Sequence, residues 1–139
     1  MRWIVASLFV FALVAGCGQP AAPAVHLNLA AHTQAAQLKT DTYTTYSCGQ
    51  DRPIHRFVVN VTNDRSSPLS IEEDHWAFAW LPNDEAPPVE KTGNDAVPPH
   101  ASTQVALYSC PPSGLADPQY LALYADEGWS YYPLARLTF

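Results

Sequence analysis

The stretch HRFVVNVTN, residues 55–63, alternates apolar side chains with more polar ones along its length. Phe57, Val59 and Val61 fall on one face of an extended chain, since successive side chains of a strand point to opposite sides. The residues that follow, NDRSSP (63–68), are rich in turn formers. This pattern predicts a β-strand with one face buried in a core.

Similar strand patterns recur along the rest of the chain. In HWAFAW, residues 75–80, Trp76, Phe78 and Trp80 share one face, which predicts a row of aromatic side chains in the core. Further strand candidates lie at residues 42–48, 102–110, 119–127 and 129–139, with one edge strand around 89–91 in a proline-rich loop at 81–99. Six or seven short strands separated by turn signals predict an all-β fold, a β-sandwich of about seven strands.

Composition supports this fold and excludes one class of partner. The chain has 139 residues, 13 prolines and 14% charged residues, which suits one domain of short extended segments better than long helices. Its formal net charge is −6. Because phosphate binding needs clustered lysine and arginine, we expect no nucleic-acid partner.

The first 16 residues have the outline of a secretory signal peptide. Arg2 precedes an apolar run at residues 3–15, and small residues end the segment. The run is shorter than the roughly 20 residues that a membrane-spanning helix needs. We therefore expect residues 1–16 to be removed on export.

The segment Val14-Ala15-Gly16-Cys17 resembles the lipobox of bacterial lipoproteins. The resemblance implies that Cys17 is lipidated and becomes the first residue of a membrane-anchored protein in the cell envelope. In Gram-negative lipoproteins an aspartate after the cysteine favours inner-membrane retention. Gly18 at this position indicates the periplasmic side of the outer membrane, or the cell surface, if the host is Gram-negative.

Residues 17–37 are rich in alanine and include two prolines, which is typical of a flexible tether. A short helix or a first strand from Val25 onward is the alternative. The folded domain is then predicted over residues 38–139.

The remaining cysteines, Cys48 and Cys110, form an even pair in an exported domain. Disulfides persist in oxidising compartments, so we expect one Cys48–Cys110 disulfide. The alternative is a reactive thiol, which would need a basic or histidine partner beside one of them.

The segments FVVNVTNDRSSPLSI and AVPPHASTQVALYSC, with an aromatic strand between them, resemble immunoglobulin-like (telokin-like) domains of small bacterial envelope lipoproteins. The resemblance covers residues 42–139 and implies an immunoglobulin-like β-sandwich. That family usually has glycine after the proline that leads the second segment, whereas this chain has Pro99-His100.

Chemistry-bearing motifs are sparse. The sequence contains no GxSxG, HExxH, CxxC or glycine-rich phosphate loop, so we predict no enzyme, no catalytic residue and no cofactor. The cluster Glu72-Glu73-Asp74-His75 has metal-ligating residue types. On a strand, however, only Glu73 with His75, or Glu72 with Asp74, would share a face, and we predict no metal site there. His26 and His32 fall in the predicted tether.

The stretch ADEGWSYYP, residues 125–133, places Trp129, Tyr131 and Tyr132 just after a turn. Tryptophan and tyrosine dominate binding hot spots, so these residues are the candidate binding surface. The alternative is plain packing, since alternation along a strand would bury Tyr131 or Tyr132, though hardly both. The sequence favours a non-enzymatic binding or structural module, with another envelope protein as its possible partner. The alternatives are an inhibitor of a secreted or periplasmic enzyme and a small metal-binding or hydrolytic protein.

Overall fold

Strands make up almost all of the regular structure. A computed structural model describes residues 24–39, 45–49, 52–115, 117–125 and 132–139. Within these ranges the only helical turn is a 3-10 turn at Glu73–His75. The strands are β1 (Val25–Ala35), β2 (Leu38–Lys39), β3 (Thr45–Tyr46), β4 (Ile54–Asn63), β5 (Leu69–Ser70), β6 (Trp76–Leu81), β7 (Asp84–Ala86), β8 (Glu90–Thr92), β9 (Ala96–Val97), β10 (Ala101–Ser109), β11 (Tyr120–Leu123) and β12 (Ala135–Thr138).

Eight of these strands form two antiparallel sheets that pack as a sandwich. The first sheet has the order β1-β4-β10-β8 and the second the order β12-β11-β6-β7. Phe57 of the first sheet packs against Phe78 of the second, with ring centroids 5.0 Å apart. The predicted rows of β4 and β6 both lie in this core: Phe57, Val59, Val61, Trp76, Phe78 and Trp80. The all-β sandwich prediction is confirmed.

The other face of β4 is also covered, because the β2–β3 hairpin lies over it. Ile54 and Val58 form a second apolar cluster with Ala106 and Tyr108 of β10. Leu38 and Tyr46 of the hairpin and Cys48 pack against this cluster. β4 is thus buried on both faces, and it is also paired along both edges, with β1 and with β10.

The tether predicted over residues 17–37 is corrected in its second half. Residues 25–35 form β1, which pairs with β4 from Val25 opposite Asn63 to Ala35 opposite Ile54. The alternative of a first strand from Val25 is therefore the correct one. The folded domain includes these residues rather than starting at residue 38.

A β-bulge in β1 reverses which face its side chains occupy. Leu27 lies opposite the core residue Val61, and the register shifts between Leu29 and Ala31. Before the shift the odd-numbered residues of β1 face the core. Beyond it the even-numbered His32 lies opposite the core residue Phe57. The extra residue thus turns His32 toward the inside of the sandwich.

The segment at 81–99, predicted as a long loop with one edge strand, contributes to both sheets. Its middle strand, β8, is the edge strand of the first sheet, close to the predicted position. The loop prediction is wrong for β7, which pairs with β6, and for β9, which pairs with β5. Proline is compatible with these strands because they are only two or three residues long.

The predicted disulfide joins Cys48 to Cys110, with their Cα atoms 5.4 Å apart. Cys110 follows the last residue of β10, so the bond ties the chain before β4 to the end of β10. The reactive-thiol alternative is excluded for both cysteines. Cys17 lies outside the described residues, and no helix among the described residues is long and apolar enough to cross a membrane.

Candidate functional site

The predicted binding segment joins β11 to β12. Trp129 and Tyr131 lie outside the described residues. Tyr132 is described, and it is 85% exposed. The backbone N–H of Leu134 donates to the carbonyl of Leu123 at 2.8 Å, which brings the two ends of the segment together.

Beside this segment, the outer face of the second sheet carries two tyrosines that converge on one carboxylate. Tyr120 donates from its hydroxyl to Glu85 Oε1 at 2.7 Å. The Tyr124 hydroxyl lies 2.7 Å from Oε1 and 2.8 Å from Oε2 of the same side chain. The two rings pack against the fully buried Ala77 and Ala122, whose small side chains leave room for them.

This Tyr120–Glu85–Tyr124 cluster is held by both hydrogen bonding and charge. Burial, and then the bond to Glu85, raises the pKa of Tyr124 well above its usual value. The bond to Glu85 is the main cause that raises the pKa of Tyr120. The Arg136 guanidinium lies 4.0 Å above the centre of the Tyr120 ring. Both tyrosines therefore stay protonated at neutral pH and act as fixed hydrogen-bond donors.

A pair of histidines lies near the C-terminal end of β1. His32 Nε2 and His55 Nδ1 are 2.8 Å apart, and the His32 ring stacks on Phe57 at a centroid distance of 4.2 Å. His55 is 1% exposed, and its Nε2 has no hydrogen-bond partner among the described residues. Asp117 Oδ1 is 3.8 Å from His32 Nδ1. Burial, and then the nearby His32, lowers the pKa of His55.

The acidic cluster at residues 72–75 leads directly into β6, and three of its four residues are exposed, but its backbone is not extended. It is a 3-10 turn, in which Glu72, Asp74 and His75 bring one potential ligand atom each to within 4.8 Å of one another. Glu73 is not part of this group, and it accepts a hydrogen bond from the backbone N–H of Lys91 at 3.1 Å. Of the two predicted pairings, Glu72 with Asp74 is found, whereas His75 joins that pair and not Glu73, because a 3-10 turn does not alternate its faces as a strand does.

Comparison with known proteins provides no relative. No family model matches the chain, and no curated protein and no solved structure matches it. The assignment of function therefore depends on the motifs of the sequence and on the contacts described above.

The sequence alone does not predict which residues meet in the Tyr120–Glu85–Tyr124 cluster or in the His32–His55 pair. Glu85 and Tyr120 are 35 residues apart, and His32 and His55 are 23 apart, so only strand register brings either pair together. The alternation of β11 does place Tyr120, Ala122 and Tyr124 on one face, and this signal could have identified the two tyrosines as a pair. No sequence signal marks the bulge that turns His32 inward.

Proposed function

We propose that this chain is a lipid-anchored lipoprotein of the bacterial cell envelope, whose immunoglobulin-like β-sandwich is a non-enzymatic binding or structural module. The membrane is its first partner, through lipid on Cys17. A second envelope component binds at the segment that joins β11 to β12.

The location is supported by the position of the lipobox-like motif. Val14-Ala15-Gly16-Cys17 ends an apolar run, and Gly18 favours the outer membrane in a Gram-negative host. Several acyl chains on one cysteine give stable anchoring, since each buried CH₂ contributes about 0.8 kcal/mol. With the domain starting at β1, the tether is reduced to the few residues between Cys17 and Val25, and the domain is held close to the membrane.

The immunoglobulin-like class is supported by the order of the strands. We assign the strands to the letters of the immunoglobulin notation. The first sheet, β1-β4-β10-β8, corresponds to A, B, E and D, and the second, β12-β11-β6-β7, corresponds to G, F, C and C′. Antibody domains link strands B and F by a disulfide. Here apolar side chains such as Phe57 and Leu121 fill the core on those strands, and the disulfide lies at the end of one sheet.

One observation carries the binding proposal. Tyr132, 85% exposed, ends the segment between strands F and G, and that loop is one of the binding loops of variable domains. The Tyr120–Glu85–Tyr124 cluster gives the neighbouring face a fixed shape. Tyrosine is one of the residue types that are enriched in binding hot spots.

The binding proposal is tested by cross-linking in intact cells followed by affinity capture of the chain. We expect Trp129→Ala and Tyr132→Ala each to reduce recovery of a specific partner. A hot-spot side chain contributes about 2 kcal/mol or more, which corresponds to roughly thirtyfold weaker binding.

The matched control is Val89→Ala. Val89 is also an exposed apolar side chain, at 39%, but it lies next to the edge strand of the other sheet. Equal recovery of every partner by the Trp129, Tyr132 and Val89 variants would contradict the proposal that this segment binds a partner.

The location is tested separately by labelling with a radioactive fatty acid. We expect Cys17→Ser to lose both the label and its association with membranes, while Cys110→Ser retains the label. A Cys17→Ser chain that still carries the label would contradict lipidation at this residue.

The inhibitor alternative gains no support from the segment at 82–99. An inhibitor presents a protruding loop, whereas this segment is tied to the sheets at three places, by β7, β8 and β9. We therefore keep the binding module as the proposal.

A further inference from the structure

His75 has one ring nitrogen fixed by the backbone and the other free of any short hydrogen bond. Its Nδ1 lies 3.3 Å from the carbonyl oxygen of Ser70, and a carbonyl can only accept. Nδ1 therefore carries the proton in the neutral ring, and the lone pair is on Nε2. The closest recorded neighbour of Nε2 is Asp74 Oδ1 at 3.8 Å, which is too long for a hydrogen bond.

The turn that carries His75 is anchored in the core. Trp76, the next residue, is fully buried, and its indole N–H donates to the carbonyl of Ile71 at 3.2 Å. The backbone N–H of His75 donates to Glu72 at 3.1 Å, closing the turn. The His75 side chain itself is 7% exposed. A buried imidazole with a fixed orientation is thus directed at the two exposed carboxylates.

This arrangement matches the usual second shell of a metal-binding histidine. Such residues donate their other ring N–H to a backbone carbonyl or a carboxylate, which fixes the ring and makes the ligand nitrogen more basic. Ser70 provides that carbonyl here. The feature distinguishes this site from a group of surface acids alone, because a buried imidazole held by Ser70 contributes the third ligand atom.

We propose that Glu72, Asp74 and His75 form a binding site for a zinc ion. Their ligand atoms already lie within 4.8 Å of one another, and tetrahedral zinc with bonds of about 2.0–2.2 Å requires spacings of roughly 3.3 Å. Rotation of the exposed Glu72 and Asp74 side chains closes this difference, while His75 stays in place. Three protein ligands leave the fourth position for water or for a group on a partner.

The residue types and the surroundings select zinc over calcium or magnesium. Calcium and magnesium prefer oxygen ligands alone, whereas an imidazole nitrogen with carboxylate oxygens suits zinc. Glu73 and Asp95 line the same cleft and add negative charge. Neither is assigned as a ligand, because neither belongs to the group whose ligand atoms lie within 4.8 Å of one another. Both instead contact Lys91: Glu73 accepts from its backbone N–H, and Asp95 Oδ1 lies 2.7 Å from its Nζ.

The test is calorimetric titration of the full chain, in detergent, with Zn²⁺. We expect binding to one site, and a loss of affinity of about tenfold or more in both Glu72→Gln and Asp74→Asn. The matched control is Glu73→Gln, which removes the same charge from the same turn and should change the affinity less than about twofold. Equal losses in Glu73→Gln and Asp74→Asn, or no Zn²⁺ binding by the unaltered chain, would overturn the proposal.

A second measurement identifies the nitrogen ligand without replacing the buried His75. X-ray absorption at the zinc edge should show one imidazole and two or more oxygen ligands. The His32–His55 pair is the competing position, so His32→Gln should retain full affinity. Two imidazoles in the spectrum, or loss of binding in His32→Gln, would assign the ion to that pair and refute the site at residues 72–75.

Discussion

His100 adopts a backbone φ of 54°, in the left-handed region that favours glycine. It follows Pro99 directly before β10. The turn before β10 therefore keeps the conformation that suits glycine, although this chain has a side chain there. An L-residue in this region costs about 1–2 kcal/mol.

We expect His100→Gly to raise the free energy of unfolding by about 0.5–1 kcal/mol, because the relief of strain exceeds the added flexibility of the unfolded chain. Chemical denaturation measures this change. His100→Ala is the control: it removes the imidazole but keeps the Cβ, so it should give no such gain. Equal stabilisation by both substitutions would show that the imidazole, not the backbone, is responsible.

His55 makes stability depend on pH. Its pKa is lowered from 6.5, so the unfolded chain binds the proton more tightly than the folded one. The groups that face it are His32 on β1, which lowers the pKa further, and Asp117, which raises it. The stability that neutral His55 provides is fully present above its unfolded pKa of 6.5 and is lost as the pH falls below that value.

We expect the midpoint of thermal unfolding to decrease between about pH 7.5 and about pH 5, and the decrease to be smaller in His55→Gln. Near-ultraviolet circular dichroism at each pH follows the transition. His100→Gln, at an exposed histidine, should retain the pH dependence of the unaltered chain. An identical slope in His55→Gln would assign the effect to another group.

Strand β11 shows how one element combines two roles. Leu121 and Leu123 point into the core, while Tyr120, Ala122 and Tyr124 form the outer face. Alternation along the chain predicts this division. The hydrogen bonds of both tyrosines to Glu85 depend instead on the register of β11 with β6 and of β6 with β7.

We expect Tyr124→Phe to lower the free energy of unfolding by about 1.5–3 kcal/mol, the usual contribution of a hydrogen bond to a charged group. Tyr132→Phe is the control, because it removes the same hydroxyl from a ring that is 85% exposed. It should cost less than about 0.5 kcal/mol. Equal costs in urea denaturation would mean that Glu85 does not stabilise the outer face.

The disulfide stabilises the domain as a whole, because it closes a long loop. Cys48 and Cys110 are 62 positions apart, for which the chain-entropy account predicts a stabilisation of about 4 kcal/mol. We expect the double variant Cys48→Ser with Cys110→Ser to lose about this much, measured by denaturation with urea. Reduction of the unaltered chain should cause the same loss, and Cys17→Ser should cause none. A loss below about 1 kcal/mol in the double variant would contradict the entropic account.

Local features of the sequence were enough to predict the all-β class, the buried rows of β4 and β6, and the disulfide. Each depends on neighbouring residues or on residue counts: side chains alternate along any extended strand, and with Cys17 set aside for lipid the other two of the three cysteines allow one pairing. β7 and β9 of the 81–99 segment were not predicted, because proline content indicates a loop but does not exclude strands of two or three residues.

The tertiary structure alone decided which distant residues meet. One extra residue in β1 turns His32 inward beside His55, and a 3-10 turn at residues 73–75 brings Glu72, Asp74 and His75 together. The physical reason is that a shift of one residue reverses the faces of a strand, and a tight turn replaces the alternation of a strand by a different period. The bulge depends on the pairing of β1 with the distant β4, and the turn is closed by the bond from His75 N–H to Glu72, so the single-strand pattern reveals neither.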